Sequence, residues 1–366
     1  MKKVAIFGAS GYGGVELARM IVAHPEFELA YLGGHSTAGK TLGDIYPHLP
    51  QLADMPIQEQ SYEAAAAVAD VMVFALHPGD GTAMVAQSVA AGKPTLDFSA
   101  DFRLSSQADY ERYYGPHPMP ELIGQAVYGL PELHREAIGQ TNFVAVPGCY
   151  PTSGTLALAP AVARGIVDPK TLIVDSLSGV SGAGRKLALG SHFSEVNESL
   201  TAYKVASHRH TPEMNQELTF AAAGPWEGSP EPDGRGLETP PTADRDIKVT
   251  FTPHLVPITR GILTTAYGSL TSDLSAKDVH AIYADYYAGE PCVRVLPAGQ
   301  MPNTKAVSGT NRCDLGVAVD EDCGRLIAVA AIDNLIKGLS GAALQCMNLM
   351  CGFEETLGLP MMAMWP

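Results

Sequence analysis

The stretch VAIFGASGYGGVELARMIV, residues 4–22, decides the fold class of this chain. Its first four residues are apolar and typical of a buried strand, and its last eight carry apolar side chains at helical spacing. Glycines separate the two runs. This order of strand, glycine turn and helix indicates a Rossmann unit, in which backbone N–H groups approach a pyrophosphate. We therefore predict that the turn binds a dinucleotide through Gly8, Ser10, Gly11, Tyr12, Gly13 and Gly14.

The second strand, residues 27–32, indicates which dinucleotide is bound. An NAD-specific domain usually places an acidic residue near the end of this strand for the ribose 2′-hydroxyl, but residues 30–40 contain no Asp or Glu. They contain instead Ser36, Thr37 and Lys40, two hydroxyls and a cation that suit a 2′-phosphate. We expect NADP, with Ser36 and Thr37 among its contacts. The alternative is an ordinary turn of small residues.

Three further strands are predicted in the first half of the chain. They are residues 71–76, 95–98 and 143–146, and a helical run lies between the first two. Alternating strands and helices predict a doubly wound, mostly parallel sheet, whose ligand crevice lies beyond the carboxyl ends of the strands. Ser99 and Arg103 follow one of these ends and are candidate contacts of an anion. For Arg103 the alternative is a surface ion pair.

The second half has a different pattern. Residues 172–175, 248–252, 261–270 and 325–331 resemble longer strands, several of them alternating, with glycine-rich and histidine-rich loops between them. They predict an α+β domain with a mixed or antiparallel sheet.

Two other stretches complete this part of the chain. Residues 224–246 are rich in Pro, Gly and acidic residues, and we expect a surface excursion without a role in the chemistry. Residues 335–350 are apolar at helical spacing, which predicts a terminal helix with Asp333 as its cap. Cys346 lies on the apolar stripe of that helix and is interpreted as a core residue.

The stretch VPGCYPTS, residues 146–153, places Cys149 at a sharp break between a strand and a helix. Pro151 can fill the first turn of that helix. A thiol at a helix start meets unpaired backbone N–H groups and the positive end of the helix dipole, and both favour the thiolate. Cys149 is therefore the candidate nucleophile. The alternative is a small core residue.

The stretch HRHTPE, residues 208–213, supplies a candidate acid–base group. Thr211 is predicted as an N-cap and Pro212 as the first helical residue, so His210 would be held immediately before a helix. A histidine in a fixed position suits proton transfer. A lone histidine is more often structural, but two histidines within three residues, in a chain with a candidate thiolate, favour a functional role.

Composition limits the class of protein. The chain has 366 residues, 46% of them apolar, which is enough for two domains with a large core. A net charge of −15 argues against nucleic acid or an anionic membrane as partner. The first apolar run is too short for a signal peptide and no run approaches a membrane span. Six cysteines without C-x-x-C spacing predict reduced thiols, no metal site and a cytoplasmic protein.

Several motifs together resemble the N-acetyl-γ-glutamyl-phosphate reductases, a family related more distantly to aspartate-semialdehyde dehydrogenase. They span nearly the whole chain in the family's order. The matching pieces are GASGYGG at 8–14, LDFSADFRL at 96–104, PGCYPT at 147–152, HRHTPE at 208–213, FTPHLVPITRGI at 251–262, GTN at 309–311 and DNLIKG at 333–338. The pair PGCYPT and HRHTPE is the specific part of this match, because the glycine turn is shared widely.

The resemblance implies an α/β fold in which a catalytic domain is inserted into the Rossmann domain and the terminal helix returns to it. The expected division is 1–148 for NADP, 149–330 for catalysis and oligomerisation, and 331–366 for the return. It implies that Cys149 forms a thioester with an acyl phosphate and releases phosphate, that NADPH reduces the thioester, and that His210 is the acid–base group. Asn311 and Asn334 are then expected near the nicotinamide. The expected substrate contacts are Ser99, Arg103, Ser178, Gly182, Arg185, Lys204, His208 and Arg260.

The sequence leaves alternatives open. The acyl phosphate could be aspartyl phosphate or a protected aminoadipyl phosphate, because these share cysteine, histidine and NADP. From another class, the chain could be a non-catalytic redox sensor that binds NADP. Stretch 224–246 is longer than expected for the family. The oligomeric state is not determined by sequence, and the resemblance suggests a homodimer or homotetramer.

Overall fold

A computed structural model describes residues 1–224 and 246–364 and divides them into two compact units. The first unit comprises Met1–Pro147 together with Leu339–Pro360. The second comprises residues 148–224, 246–338 and 361–364. The predicted excursion, apart from its first and last residues, lies outside the described residues.

The first unit contains a parallel sheet with the strand order β3-β2-β1-β4-β5-β7-β6. Every strand pair in it is parallel, which confirms the predicted Rossmann sheet. Its strands are β1 Lys2–Phe7, β2 Phe27–Gly34, β3 Gln58–Glu59, β4 Val71–Phe74, β5 Thr95–Asp97, β6 Val127–Tyr128 and β7 Phe143–Ala145. Its helices before the second unit are α1 Tyr12–Val22, α2 Tyr62–Ala66, α3 Thr82–Ala90, α4 Gln107–Tyr114 and α5 Pro131–Gln140.

The central strands of this sheet are buried on both faces. In β1 the residues Val4, Ala5, Ile6 and Phe7 are all without solvent exposure, and all of β4 is buried as well. A parallel sheet with helices on both sides requires such continuous apolar strands rather than alternating ones. The short runs recognised in the sequence therefore become the centre of the first unit.

The second unit contains a mixed sheet with the order β12-β13-β14-β11-β8-β10-β9, as the alternating second half predicted. Its strands are β8 Ile173–Ser178, β9 Thr201–Ala202, β10 Thr250–Leu255, β11 Ile262–Ser269, β12 Val293–Val295, β13 Cys313–Asp320 and β14 Arg325–Ile332. Its helices are α6 Cys149–Ala163, α7 Phe193–Val196, α8 Thr211–Ala223 and α9 Ala276–Tyr286. A π-helix, Ile336–Ser340, follows β14 and leads into α10, Gly341–Met350.

The terminal helix α10 belongs to the first unit and packs against α5 and α1. Asp333 caps the turn before it, because its Oδ1 accepts the N–H groups of Leu335 and Ile336. Cys346 is fully buried and its thiol donates to the carbonyl of Gly129, in agreement with a core role. The return to the first unit begins at Leu339 rather than at 331, because β14 occupies the residues up to Ile332.

Helix α6 carries Cys149 at its first position and a proline in its interior. Pro160 has no N–H, so the carbonyl of Leu156 loses its helical partner. The Tyr287 hydroxyl donates to that carbonyl at 2.6 Å, and the Tyr283 hydroxyl donates to the carbonyl of Ala157 at 2.7 Å. Tyr283 of α9 and Tyr287, which immediately follows α9, thus stabilise the helix that holds the candidate nucleophile.

Two local predictions are corrected. Thr211 is not the N-cap: helix α8 begins at Thr211 and His210 occupies the cap position, since its carbonyl accepts the Met214 N–H. The sequence also missed β13, whose Gly316 interrupts the apolar pattern. Of the described residues, no helix is long and apolar enough to cross a membrane.

Candidate active site

Cys149 is the first residue of α6 and is partly exposed. Gly148 before it is extended, and its carbonyl already accepts the first helical hydrogen bond, from the Thr152 N–H at 3.0 Å. The thiol therefore sits at the positive end of a helix of 15 residues, where the helix dipole favours the thiolate. This is the position that the sequence predicted for it.

The His210 ring packs directly against Gly148, the residue before the candidate nucleophile. A β-carbon built on Gly148 would lie 2.7 Å from His210 Nε2, so only glycine admits the imidazole here. Residues 148 and 210 come from the starts of two helices, α6 and α8, that pack against each other. The tertiary structure thus brings the predicted nucleophile and the predicted acid–base group to one place within the second unit.

Glu213 is a third member of this group, and the sequence interpretation did not assign it a role. Its side chain is 1% exposed, its Oε2 accepts the Gly148 N–H at 3.0 Å, and its Oε1 lies 3.9 Å from His210 Nε2. A buried carboxylate at this distance stabilises a protonated imidazole electrostatically. The signal was available, because Glu213 lies three residues after His210 and one helical turn places both on one face.

His208 and two tyrosines surround these groups. His208 Nδ1 accepts the His210 N–H at 3.1 Å, and the two imidazole rings lie 4.8 Å apart. Burial, with smaller contributions from Lys204 and Arg209, lowers the pKa of His208 to about 4. His208 is therefore neutral at neutral pH and positions the His210 backbone as a hydrogen-bond acceptor.

The tyrosine beside the nucleophile is held as a neutral phenol. The hydroxyls of Tyr150 and Tyr203 lie 2.9 Å apart. Burial, followed by the neighbouring Tyr203 and Cys149, raises the pKa of Tyr150 above its ordinary value. Burial likewise raises the pKa of Tyr203. Neither phenol loses its proton at neutral pH, so both act as hydrogen-bonding groups next to the thiol.

Three loops of the second unit meet near Asn334. The Asn334 side chain accepts the Gly261 N–H at 2.7 Å and donates to Ser181 Oγ at 2.9 Å. This bridge ties the loop after β8, which contains Ser178 and Gly182, to the loop that contains Arg260. A β-carbon on Gly182 would lie 3.3 Å from Ser178 Oγ. The structure therefore brings together Ser178, Gly182 and Arg260, three of the residues predicted as substrate contacts.

The same segment continues to the nucleophile. Asp333 is fully buried, accepts the Gly309 N–H and lies 3.7 Å from the Arg260 guanidinium. Gly338 packs against Cys149, because a β-carbon on it would lie 2.8 Å from the Cys149 β-carbon. The segment DNLIKG thus extends from the partly exposed Arg260 to the candidate nucleophile. Its role as a link between them was not visible in the sequence.

The other predicted residues of the second unit are more dispersed. Arg185 and Lys204 are exposed, and Lys204 has a positive φ of 46°. Asn311 is fully buried and its amide donates to Cys292 Sγ at 3.3 Å, whereas Asn334 makes the bridge described above. Both asparagine side chains thus make hydrogen bonds within the protein.

The glycine turn of the first unit is tightly packed against the end of β4. Gly8 has a φ of 76°, and a β-carbon on it would lie 2.2 Å from the Ala75 carbonyl oxygen, so no other residue fits. Ser10 Oγ lies 3.0 Å from Thr37 Oγ1, which joins the turn to the end of β2. Ser36 is exposed and Thr37 is buried. Tyr12 and Gly13 open α1, and its N-terminus faces the turn.

Ser99 and Arg103 belong to a buried network after β5. Ser99 Oγ donates to Asp97 and accepts the Asp101 N–H, while Arg103 donates to the Phe98 carbonyl at 2.7 Å. Asp101 in turn accepts the Gly79 N–H and the Thr82 hydroxyl, which ties together the loops after β4 and β5. Burial raises the pKa of Asp97 to about 7. These residues stabilise the carboxyl edge of the sheet.

Two family models match this chain. Residues 3–141 match the family model described as "Semialdehyde dehydrogenase, NAD binding domain". Residues 149–232 and 235–334 match the one described as "Semialdehyde dehydrogenase, dimerisation domain". The predicted dinucleotide-binding half is thereby confirmed at the level of NAD or NADP.

Curated relatives match over the full length. The N-acetyl-gamma-glutamyl-phosphate reductase of Pelotomaculum thermopropionicum is 46% identical over 365 residues, covering 100% of this chain and 99% of the relative. The enzymes of the same name from Desulfotalea psychrophila and Moorella thermoacetica are each 44% identical over 367 residues, covering 100% of both chains.

Solved structures confirm the fold. Aspartate semialdehyde dehydrogenase from Candida albicans, solved with NADP, superimposes with a TM-score of 0.70 at 18% identity and covers 96% of this chain and 98% of its own. The enzyme from Vibrio cholerae, solved with ASA, gives 0.67 at 15% identity with the same coverage. The resemblance inferred from the motifs is therefore confirmed: the chain belongs to the N-acetyl-gamma-glutamyl-phosphate reductases of the semialdehyde dehydrogenase family and is an oxidoreductase.

Proposed function

We propose that this chain reduces N-acetyl-γ-glutamyl phosphate to N-acetylglutamate 5-semialdehyde and phosphate with NADPH. The observation that carries the proposal is the placement of Cys149 at the start of α6 with the His210 ring against Gly148. Full-length relatives of this name support the choice of substrate. We further propose a cytoplasmic location, where reducing conditions keep the thiol available.

A covalent intermediate on Cys149 divides the reaction into two easier steps. His210 takes the thiol proton, and the Cys149 thiolate attacks the acyl carbon, so that a C–S bond forms and phosphate leaves with the electrons of the C–O bond. NADPH, when bound, supplies the hydride. His210 then returns its proton to the oxygen of the reduced carbon and removes it again as the C–S bond breaks and releases the aldehyde. Glu213 holds His210 as a cation between these transfers.

The test is the reverse reaction, phosphate-dependent reduction of NADP, with each of three semialdehydes. We expect turnover with N-acetylglutamate semialdehyde and much less with aspartate semialdehyde or protected aminoadipate semialdehyde. Cys149→Ser is expected to lose on the order of 10³-fold or more in kcat, whereas Cys323→Ser, at an exposed thiol, is expected to behave as wild type. Turnover with another semialdehyde alone would reassign the substrate. An inactive wild type that still binds NADP would favour the redox sensor.

We propose NADP rather than NAD as the cofactor. The hydroxyls of Ser36 and Thr37 and the exposed Lys40 support this choice, since they can surround a 2′-phosphate and residues 30–40 contain no Asp or Glu. Lys40→Ala is expected to lower kcat/KM for NADPH by about fivefold, as for an exposed ion pair, and to leave that for NADH unchanged. Equal efficiency of wild type with both cofactors would contradict the assignment.

We also propose that the chain forms a homodimer or homotetramer. The match of the second unit to a dimerisation domain supports self-association. The number of subunits is measured directly by sedimentation.

A further inference from the structure

The segment between β4 and α3, residues 77–81, which we call the β4–α3 loop, borders the crevice of the first sheet. The order of this sheet runs outward from β1 to β2 and β3 on one side and to β4 and β5 on the other. The strand order therefore reverses between β1 and β4, and in open α/β sheets a ligand binds beyond the carboxyl ends of the strands at such a reversal. The glycine turn after β1 and the β4–α3 loop thus flank the place where a dinucleotide is expected.

The glycine turn and the residues that follow β4 are in direct contact. The Ala75 N–H donates to the carbonyl of Phe7 at 2.9 Å. A β-carbon built on Gly8 would overlap the Ala75 carbonyl oxygen and would lie 3.1 Å from Leu76 Cδ2. The course of the chain after β4 therefore determines how much room a ligand has beside the turn.

The β4–α3 loop contains two glycines and is largely exposed. Gly79 has a φ of 85°, and a β-carbon on it would lie in open space. Gly81 occupies the N-cap position of α3 and has no side chain with which to cap it. His77, Gly79 and Asp80 are exposed. Because glycine loses more conformational freedom than any other residue when it is ordered, a loop of this kind needs a contact from outside to hold one arrangement.

The buried carboxylate of Asp101 makes such a contact within the loop and at its C-terminal end. Its Oδ2 accepts the Gly79 N–H at 2.9 Å and the Thr82 hydroxyl at 2.7 Å. Hydrogen bonds to a carboxylate are about twice as strong as those between neutral groups. Since Thr82 is the first residue of α3, the same oxygen atom fixes both the loop and the start of the helix that follows it.

Asp101 is itself held from the opposite side. It is 1% exposed, and its Oδ1 accepts the Tyr110 hydroxyl at 2.8 Å. Its N–H donates to Ser99 Oγ at 3.1 Å, and its carbonyl oxygen lies 2.8 Å from His117 Nε2. These contacts come from residues outside the glycine turn and outside the β4–α3 loop. The carboxylate is therefore a fixed point to which the loop is attached.

We propose that Asp101 is a positioning residue for the dinucleotide, because it holds the β4–α3 loop in the arrangement that leaves the crevice beside the glycine turn open for the cofactor. The inference rests on the proposed cofactor. A site with an ordered wall binds its ligand without the cost of ordering that wall. When only a fraction of the molecules has the wall in place, the apparent dissociation constant equals the intrinsic one divided by that fraction. Loss of the contacts to Asp101 is therefore expected to weaken cofactor binding.

The test compares two buried hydroxyls that bind the same carboxylate. Thr82→Val removes the hydroxyl on the side of the loop, and Tyr110→Phe, the matched control, removes the one on the opposite side. The dissociation constant for NADPH is measured by titration of nicotinamide fluorescence without substrate. We expect Thr82→Val to raise it about 10-fold, the value if about a tenth of the molecules keep the loop in place, and Tyr110→Phe to bind as wild type. An unchanged constant in Thr82→Val, or an equal rise in both variants, would overturn the proposal.

A second measurement follows the loop itself and needs no cofactor. Hydrogen exchange, measured by mass spectrometry on peptides that span residues 77–82, includes the Gly79 N–H that Asp101 accepts. Asp101→Ala is expected to exchange faster in these peptides, whereas Asp101→Asn, which keeps an acceptor of the same shape, is expected to restore both the slow exchange and the NADPH affinity. Exchange in a folded Asp101→Ala that equals wild type contradicts the role of Asp101. Circular dichroism verifies folding, and if Asp101→Ala does not fold, the Thr82 and Tyr110 variants decide.

The binding titration also separates this inference from the proposed function. A wild type that binds NADH rather than NADPH reassigns the cofactor, and the same variants are then compared with NADH. A wild type that binds the cofactor without turnover rejects the proposed reaction but leaves the comparison of the variants valid. A wild type that binds neither dinucleotide overturns this inference together with the proposed cofactor.

Discussion

At the scale of single residues, the group around Cys149 depends on one buried carboxylate. Glu213 holds the peptide that precedes the nucleophile and lies 3.9 Å from His210. It therefore acts through these neighbours as a positioning residue. Its hydrogen bond to the Gly148 N–H requires only an acceptor, whereas stabilisation of a protonated His210 requires the negative charge.

This distinction predicts the behaviour of Glu213→Gln, which keeps an acceptor and loses the charge. We expect kcat to fall about 10- to 100-fold, which corresponds to about 1.4–3 kcal/mol, with a small change in KM. Alkylation of Cys149 by iodoacetamide is expected to require a higher pH, because the thiolate with its imidazolium partner is less favoured. Glu217→Gln, one turn further along α8 and also buried, is the control for the loss of a buried carboxylate. An alkylation profile identical to wild type would leave Glu213 a purely structural role.

The lowered pKa of His208 predicts how the free energy of unfolding depends on pH. Its pKa is lowered to about 4 by burial, so the unfolded chain binds more protons than the folded one between about pH 6.5 and 4. The free energy of unfolding is therefore expected to fall as the pH decreases through this range. His208→Asn keeps an acceptor for the His210 N–H and does not titrate, so its stability should fall less. Urea unfolding at pH 7 and pH 5 measures both. Equal losses in the two proteins would contradict this role.

At the scale of elements, α6 is stabilised from outside at its interior proline. Tyr287→Phe removes the hydroxyl that donates to the Leu156 carbonyl and leaves that buried carbonyl without this donor. We expect the free energy of unfolding to fall by about 1–3 kcal/mol, the range for an unsatisfied buried group. Thermal unfolding measures it, with the adjacent Tyr286→Phe as control. A loss in Tyr287→Phe no larger than in the control would show that the hydrogen bond does not stabilise α6.

The elements differ in how well the sequence predicted them. Strands β1, β4 and β5 were recognised because they are short, mostly buried and bounded by turns. Strand β13 was missed because Gly316 interrupts its apolar pattern. Its pairing with β14, which the sequence does not show, is what defines it as a strand. The start of α8 was displaced by one residue, since Thr211 and Pro212 are compatible with two adjacent starts.

At the scale of the whole molecule, the chain divides into two units, and two of the breaks between them lie close in sequence to residues that contact Cys149. The first break falls between Pro147 and Gly148, at the edge of the helix that begins with Cys149. The second falls within the π-helix, whose Gly338 packs on Cys149 and whose Ser340 hydroxyl donates to the Gly13 carbonyl in its own unit. Both breaks therefore lie next to residues of the second unit that pack around Cys149.

The sequence by itself determined the Rossmann unit, the position of Cys149 at a helix start and the family. These signals are local: a glycine turn needs a positive φ at Gly8, and a thiol at a helix N-terminus needs only the residues around it. Only the tertiary structure shows that Glu213 holds Gly148 and that Asn334 joins two loops. Such relations depend on residues distant in sequence, whose proximity follows from strand order and helix packing rather than from spacing along the chain.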